Sequence, residues 1–240
     1  MTNGVSKENV PWEGGTLYHR KEQFAEVFVF LFLIVPSMIL SFFVVKQGSM
    51  SFVLIALSSI LRDLALVSLI LFFLWRNGEP IMVIGWKFKN AGKEAILGIW
   101  LFIPFFFGAG LLEKGLRMAG FTVPATPLPS LISEKSTAEF LLAAVLIIVV
   151  ALTEETIFRG YLILRLKNVT ASTAAAVILS AVIFSLGHSY EGSAGVITVG
   201  FMGLFFALIY IWRQSLVAPM VMHFLQDFIG IVLAPLLGMR

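Results

Sequence analysis

Long apolar stretches broken by short polar ones dominate this chain, and within them the alternation that would mark a half-buried strand is missing. Crossing a hydrocarbon core of ~30 Å takes about 20 helical residues at 1.5 Å each. The stretches that meet this rule, wholly or nearly, are Phe24 to Val45, Phe52 to Trp75, Ala95 to Leu112, Thr137 to about Leu166, Ser172 to Gly187, Ala194 to Trp212 and Ser215 to Leu237. They predict an all-α fold, a polytopic transmembrane helical bundle of seven or eight spans. Residues 1–23 read as a polar N-terminal tail, and 24–240 as a single membrane domain. Phe24 to Val45 is too long for a signal-peptide core and has no small-residue cleavage site after it, so it is expected to remain as the first span.

The breaks are a basic loop from Arg76 to Lys93, a Pro-rich stretch from Gly120 to Pro129, a turn around Asn168 to Ser172, a loop from His188 to Ser193 and a tight turn at Arg213 and Gln214. Proline lacks an amide donor and clashes with the preceding turn, so no helix runs through the Pro-rich stretch, which suits a short re-entrant or interfacial segment.

Composition sharpens this picture. Hydrophobic residues are 59% of the 240, charged ones 13%, and mean hydropathy is +0.96, so water is not the solvent for most of the surface. Without cysteine there is no disulfide, thiolate ligand or thiol nucleophile. The 17 Lys and Arg against 14 acids are spread among loops, which reads as topology and not as nucleic-acid binding. With a cytoplasmic N-terminus, the loops on that side hold 11 positive residues and the opposite side 5, so the positive-inside rule favours N-in. No internal repeat supports an inverted-repeat transporter.

An ionisable side chain near the bilayer centre costs about 2.5 to 3.5 kcal/mol, so each is a candidate for function. The later spans contain Glu154, Glu155, Arg159, His188, His223 and Asp227, including two of the chain's three histidines. Glu154 precedes Thr170 by 16 residues and His188 follows it by 18, so an antiparallel hairpin turning there brings the two level. Glu155 and Arg159 share a helix face and can pair, while Glu154 points about 100° away from Glu155 and lacks a partner on its own helix. His223 and Asp227 share a face, as do Phe184 and His188. A carboxylate facing an imidazole can hold and deprotonate a water, and a second histidine with a polar partner can donate to an oxyanion.

Glu154-Glu155-Thr156-Ile157-Phe158-Arg159, Phe184-Ser185-Leu186-Gly187-His188 and His223-Phe224-Leu225-Gln226-Asp227 resemble the EExxxR, FxxxH and HxxxN/D motifs of the CPBP family (CAAX protease and bacteriocin-processing, Abi). The resemblance covers roughly Leu141 to Val232 and implies an intramembrane endopeptidase. Eukaryotic members remove the last three residues of prenylated CaaX proteins, and bacterial members process or resist peptides. The implied substrate is therefore a membrane-associated peptide or prenylated protein, CaaX-like or a leader peptide, met among membrane lipids. The resemblance also implies that Glu154 with His188 activates water and that His223 with position 227 lines the oxyanion hole. Glu155, Arg159 and Phe184 are expected to support them. The prenyl-protein proteases have Asn at that last position, and an ionised Asp227 would repel an oxyanion; it is then protonated, or orients His223 or a metal.

No cofactor is expected, the alternative being Zn²⁺ on Glu154, His188, His223 and Asp227. No His-Glu-x-x-His, Gly-x-Gly-Asp or Gly-x-Ser-Gly string is present. Two rival readings are an ion-coupled transporter, since buried carboxylates and histidines also relay protons, and a non-catalytic membrane adaptor or immunity protein of the same fold. Arg62 and Asp63 interrupt the second span, where a local pair or a broken helix is expected; Glu26 and Glu191 are expected at the interface.

Overall fold

The computed structural model describes residues 17–47, 51–123 and 137–237. The Pro-rich break from Pro124 onward and residues 1–16 of the polar tail lie outside the described residues. The chain is all-helical, with no strand among the described residues. Its elements are α1 (Leu17–Gln47), α2 (Phe52–Arg76), α3 (Ala91–Met118), α4 (Thr137–Glu154), α5 (Ile163–Thr170), α6 (Thr173–Leu186), α7 (Gly192–Arg213), α8 (Val217–Asp227) and α9 (Ala234–Leu236). Two π-helical segments join them without a break in direction: Glu155–Leu162 connects α4 to α5, and Phe228–Leu233 connects α8 to α9.

Among the described residues, five stretches are long and apolar enough to cross a membrane, namely 20–40, 52–76, 91–118, 137–170 and 189–213. Two shorter apolar helices, Thr173–Leu186 and Val217–Leu233, fall below that length, so among the described residues five of the expected seven or eight spans are long enough by this measure. The physical reason is local. Ser172 caps α6 through its hydroxyl, which accepts from the Ala175 amide at 3.2 Å, and the helix ends at Gly187, leaving 14 residues or about 21 Å. Helix α1 starts inside the expected polar tail, at Leu17, and α2 runs unbroken through Arg62 and Asp63.

Sidedness along each rod shows which solvent it meets. On α1, Val27, Phe30 and Ile34 are buried while Phe24, Phe28 and Phe32 are exposed, so both faces are apolar. Such rows are stable outward only against lipid. Inside, α6 packs on α7, α3 on α8 and α2 on α4. Close approach depends on small residues: a Cβ at Gly98 of α3 would lie 2.8 Å from the Ala218 carbonyl oxygen of α8, and one at Gly203 of α7 would meet Phe184 at 3.2 Å.

One end of the bundle is closed by buried charge. Glu26 of α1, expected at the interface, is instead buried and accepts from Arg76 Nη2 (2.7 Å), Asn77 Nδ2 (2.7 Å), Tyr161 Oη (3.0 Å) and Arg165 Nε (2.9 Å). Arg165 also donates from Nη1 to Glu79 at 2.9 Å. Arg20 donates to the Val169 carbonyl, Arg213 pairs with Glu94 at 2.6 Å, and the Leu216 amide donates to Gly85 at 3.0 Å. These bonds gather the start of α1, the basic loop and both tight turns on one face. At the other end, Thr122 beyond α3 exchanges hydrogen bonds with Ser193 at the start of α7.

Candidate active site

The acids sit where α4 gives way to the π-helical segment. A π turn shifts carbonyls out of the ordinary ladder and recurs at functional sites, because it re-aims side chains that an α-helix would spread evenly. Here one carbonyl is met from outside, Ser180 of α6 donating to Phe158 at 2.7 Å, while Trp86 donates from Nε1 to the Thr156 side-chain hydroxyl at 3.0 Å. Every residue from Glu155 to Leu162 is buried.

His223 of α8 enters between the two acids. Its Nδ1 lies 2.8 Å from Glu155 Oε1, and that same oxygen accepts from Arg159 Nη1 at 2.8 Å. Glu155 is thereby a buried hub joining an arginine four residues on to a histidine 68 residues away. The other ring nitrogen, Nε2, lies 3.8 Å from Glu154 Oε2 and 3.5 Å from Asp227 Oδ2. Adjacent acids thus approach opposite sides of one imidazole. Glu154 Oε2 is buried and has no hydrogen-bond partner among the described residues.

Aromatic rings hold this arrangement in place. The Arg159 guanidinium lies 4.3 Å over Phe184 and 5.3 Å over Phe206, whose rings also flank His223, each 6.2 Å away. Phe184 is fixed in turn by Phe158 at 5.0 Å and by the close fit against Gly203. His188 follows α6, with Nδ1 3.0 Å from the Phe184 carbonyl and its ring 4.8 Å from that of Phe184. Nδ1 can donate there, which leaves Nε2 for other work.

The structure therefore gathers Glu154, Glu155 and Asp227 around His223, joins Arg159 to them through Glu155, and sets Phe184 and His188 alongside. The ring contacts of His188 are with Phe184 and with Tyr190 at 5.9 Å. Two groups join that no motif indicated. Tyr190 and Arg62 each lie within Coulombic reach of Glu154. Asp63 pairs with Arg62 at 2.8 Å and accepts from Thr153 Oγ1 at 3.4 Å, one residue before Glu154. A charge inside an apolar span was the available signal for Arg62; nothing in the sequence marked Tyr190.

Residues 136–229 match the family model described as Rce1-like, type II CAAX prenyl endopeptidase. This segment is an Rce1-like domain. The Rce1-like match starts at the foot of α4 and ends just past Asp227, so it contains every group around His223 except Arg62 and Asp63. The match makes this segment similar to a peptidase family, and the long apolar helices point to a membrane protein. Comparison with curated proteins and with solved structures gave no match.

Zinc is the metal to weigh against these residues. Among the described residues no group of three His, Cys, Asp or Glu gathers as a ligand set. His223 Nδ1 is engaged by Glu155 and His188 Nδ1 by a backbone carbonyl, which leaves Nε2 on each ring, and no step below passes through a metal.

Proposed function

We propose that the chain is an intramembrane endopeptidase that hydrolyses a peptide bond of a membrane-associated substrate by a glutamate-activated water. The observation that supports this best is His223, tied at Nδ1 to the Glu155 hub and presenting Nε2 between Glu154 and Asp227. Because Glu155 is committed to Arg159, it accepts the Nδ1 proton and orients the ring. A proton on Nε2 then points to where a substrate carbonyl oxygen gains charge. Glu154, whose Oε2 has no protein donor, takes a proton from water as the water oxygen bonds to the carbonyl carbon. That proton passes to the peptide nitrogen, the C–N bond breaks, and the products are a carboxyl and an amine terminus. His188 helps hold the water. Asp227 orients His223 and does not itself donate to the oxyanion.

An apolar cavity of about 250 Å³ lies between α4 and α8, lined by Ala151 and Leu152 on one side and by Val221 and Phe224 on the other. These residues lie within three positions of Glu154 or His223 on their helices, so an apolar part of the substrate, such as a lipid chain, can sit there. The test is mass spectrometry of peptides, prenylated CaaX-like and leader-type, before and after exposure to purified protein. One defined cleavage that Glu154→Gln abolishes is expected. Absence of cleavage across both classes would leave a non-catalytic role of the same fold.

A further inference from the structure

Arg62 is a cation inside an otherwise apolar helix, and the hydrolytic scheme above gives it nothing to do. It lies 14 residues before Arg76, or ~21 Å along α2 from the charged face. Glu154 lies 16 residues before Thr170, or ~24 Å from that same face, so the two are at one depth. The Asp63 to Thr153 contact pins the two helices together at this level.

Its guanidinium is held in a particular way. Nε donates to Asp63 Oδ1 at 2.8 Å, which fixes the plane of the fork. Among the described residues neither Nη1 nor Nη2 has a hydrogen-bond partner, and the side chain keeps 30% of its surface open. A guanidinium clamped at Nε and open at both terminal nitrogens is shaped for the two oxygens of a carboxylate. Asp63 balances the charge, but leaving both terminal nitrogens without acceptors at mid-depth is costly. Phospholipid headgroups stay at the interface, so an acceptor for the fork would come with the molecule that enters the site.

We infer that Arg62 is a specificity residue that binds the free C-terminal carboxylate of the substrate, so that the enzyme cuts a few residues from a chain end. This rests on the peptidase reading above. It also chooses between the substrate types left open there, favouring a C-terminal tail over a leader peptide cut within a longer chain. Asp63 is the positioning partner that fixes the fork at the depth of Glu154.

The test uses the purified full chain and three forms of one cleavable peptide: free acid, C-terminal amide, and amide with glutamate as last residue. Wild type should cleave the acid with a kcat/KM roughly ten- to a hundredfold above the simple amide, the range of a charge-assisted hydrogen bond. The glutamate amide should behave like the simple amide. In Arg62→Met combined with Asp63→Asn, which avoids stranding the buried aspartate, the acid-to-amide ratio should fall to near one. A merely structural role would lower both rates and leave the ratio standing, which would overturn the inference. Equal cleavage of acid and amide by wild type would overturn it too, needs no variant to fold, and leaves the peptidase reading intact. Preference for the glutamate amide over the acid would refute terminal recognition. Cleavage of no form would remove the peptidase reading and this inference with it.

Discussion

Replacing Glu155 by Gln separates the two adjacent acids more sharply than any other change. The wild-type carboxylate takes 2.8 Å contacts from both Arg159 and His223, and all three side chains are buried. Gln keeps the volume and one acceptor oxygen but removes the charge that balances Arg159. Breaking a buried ion pair by neutralising one partner costs about 3 to 5 kcal/mol, because the other charge stays desolvated. The stacking of Arg159 on Phe184 and Phe206 exists in both forms, so it offsets none of that difference. Against a total of about 5 to 15 kcal/mol for a domain, this is a large fraction. Glu154→Gln breaks no hydrogen bond, since Oε2 has no hydrogen-bond partner and stands 3.8 Å from His223 Nε2, and should cost less than about 1 kcal/mol. Its effect is on rate: losing the proton acceptor should lower kcat by about 10² to 10⁴. Thermal unfolding of detergent-solubilised protein, run beside mass-spectrometric cleavage, reads both quantities. Glu155→Gln should lower stability and activity together, and Arg159→Met with Glu155→Leu should recover part of the stability. An Glu155→Gln protein as stable as wild type would refute the hub, and near wild-type cleavage by Glu154→Gln would refute water activation.

Three further outcomes are expected. Thr170→Cys, in a chain without cysteine, should be labelled by a membrane-impermeant thiol reagent only after the cytoplasmic side is opened, and labelling of intact cells would reverse the orientation. Activity should survive exhaustive chelation, with no stoichiometric zinc by elemental analysis; loss on chelation with rescue by zinc would turn the site into a metallopeptidase. Arg165→Met should strand Glu26 and Glu79 and destabilise the protein by about 3 kcal/mol or more, while kcat/KM of the folded fraction stays within about twofold. An equal fall in kcat/KM would mean that the charged face reports to the site.

The sequence disclosed the helices because lipid imposes one rule along the whole chain: each spanning segment must satisfy its own backbone and present apolar side chains. That rule places α2 at Phe52, the turn before α6 near Ser172 and the turn before α8 at Gln214, within a residue or two. It is silent on how deep a short helix sits, which is why 14-residue α6 counted as a span from composition and falls short by length. The i, i+4 rule likewise paired Glu155 with Arg159 and set His223 beside Asp227, since both pairs need only local geometry.

What stayed hidden needs tertiary contacts that no periodicity encodes. An ideal α-helix sends Glu154 and Glu155 about 100° apart, which suggested unrelated surroundings. The chain instead turns π-helical at Glu155 and delivers both acids to opposite nitrogens of His223. Glu26 reads as interfacial because it stands near the end of a span, and only the folded bundle shows four donors converging on its carboxylate. Arg62 shows the same limit from the other side. Its local pair with Asp63 was foreseeable, and by that pairing alone it would be inert. Its consequence comes from α2 packing on α4, which sets a half-open guanidinium at the depth of Glu154. Within a bilayer, an unexplained charge identifies a site only once the partner helix is known.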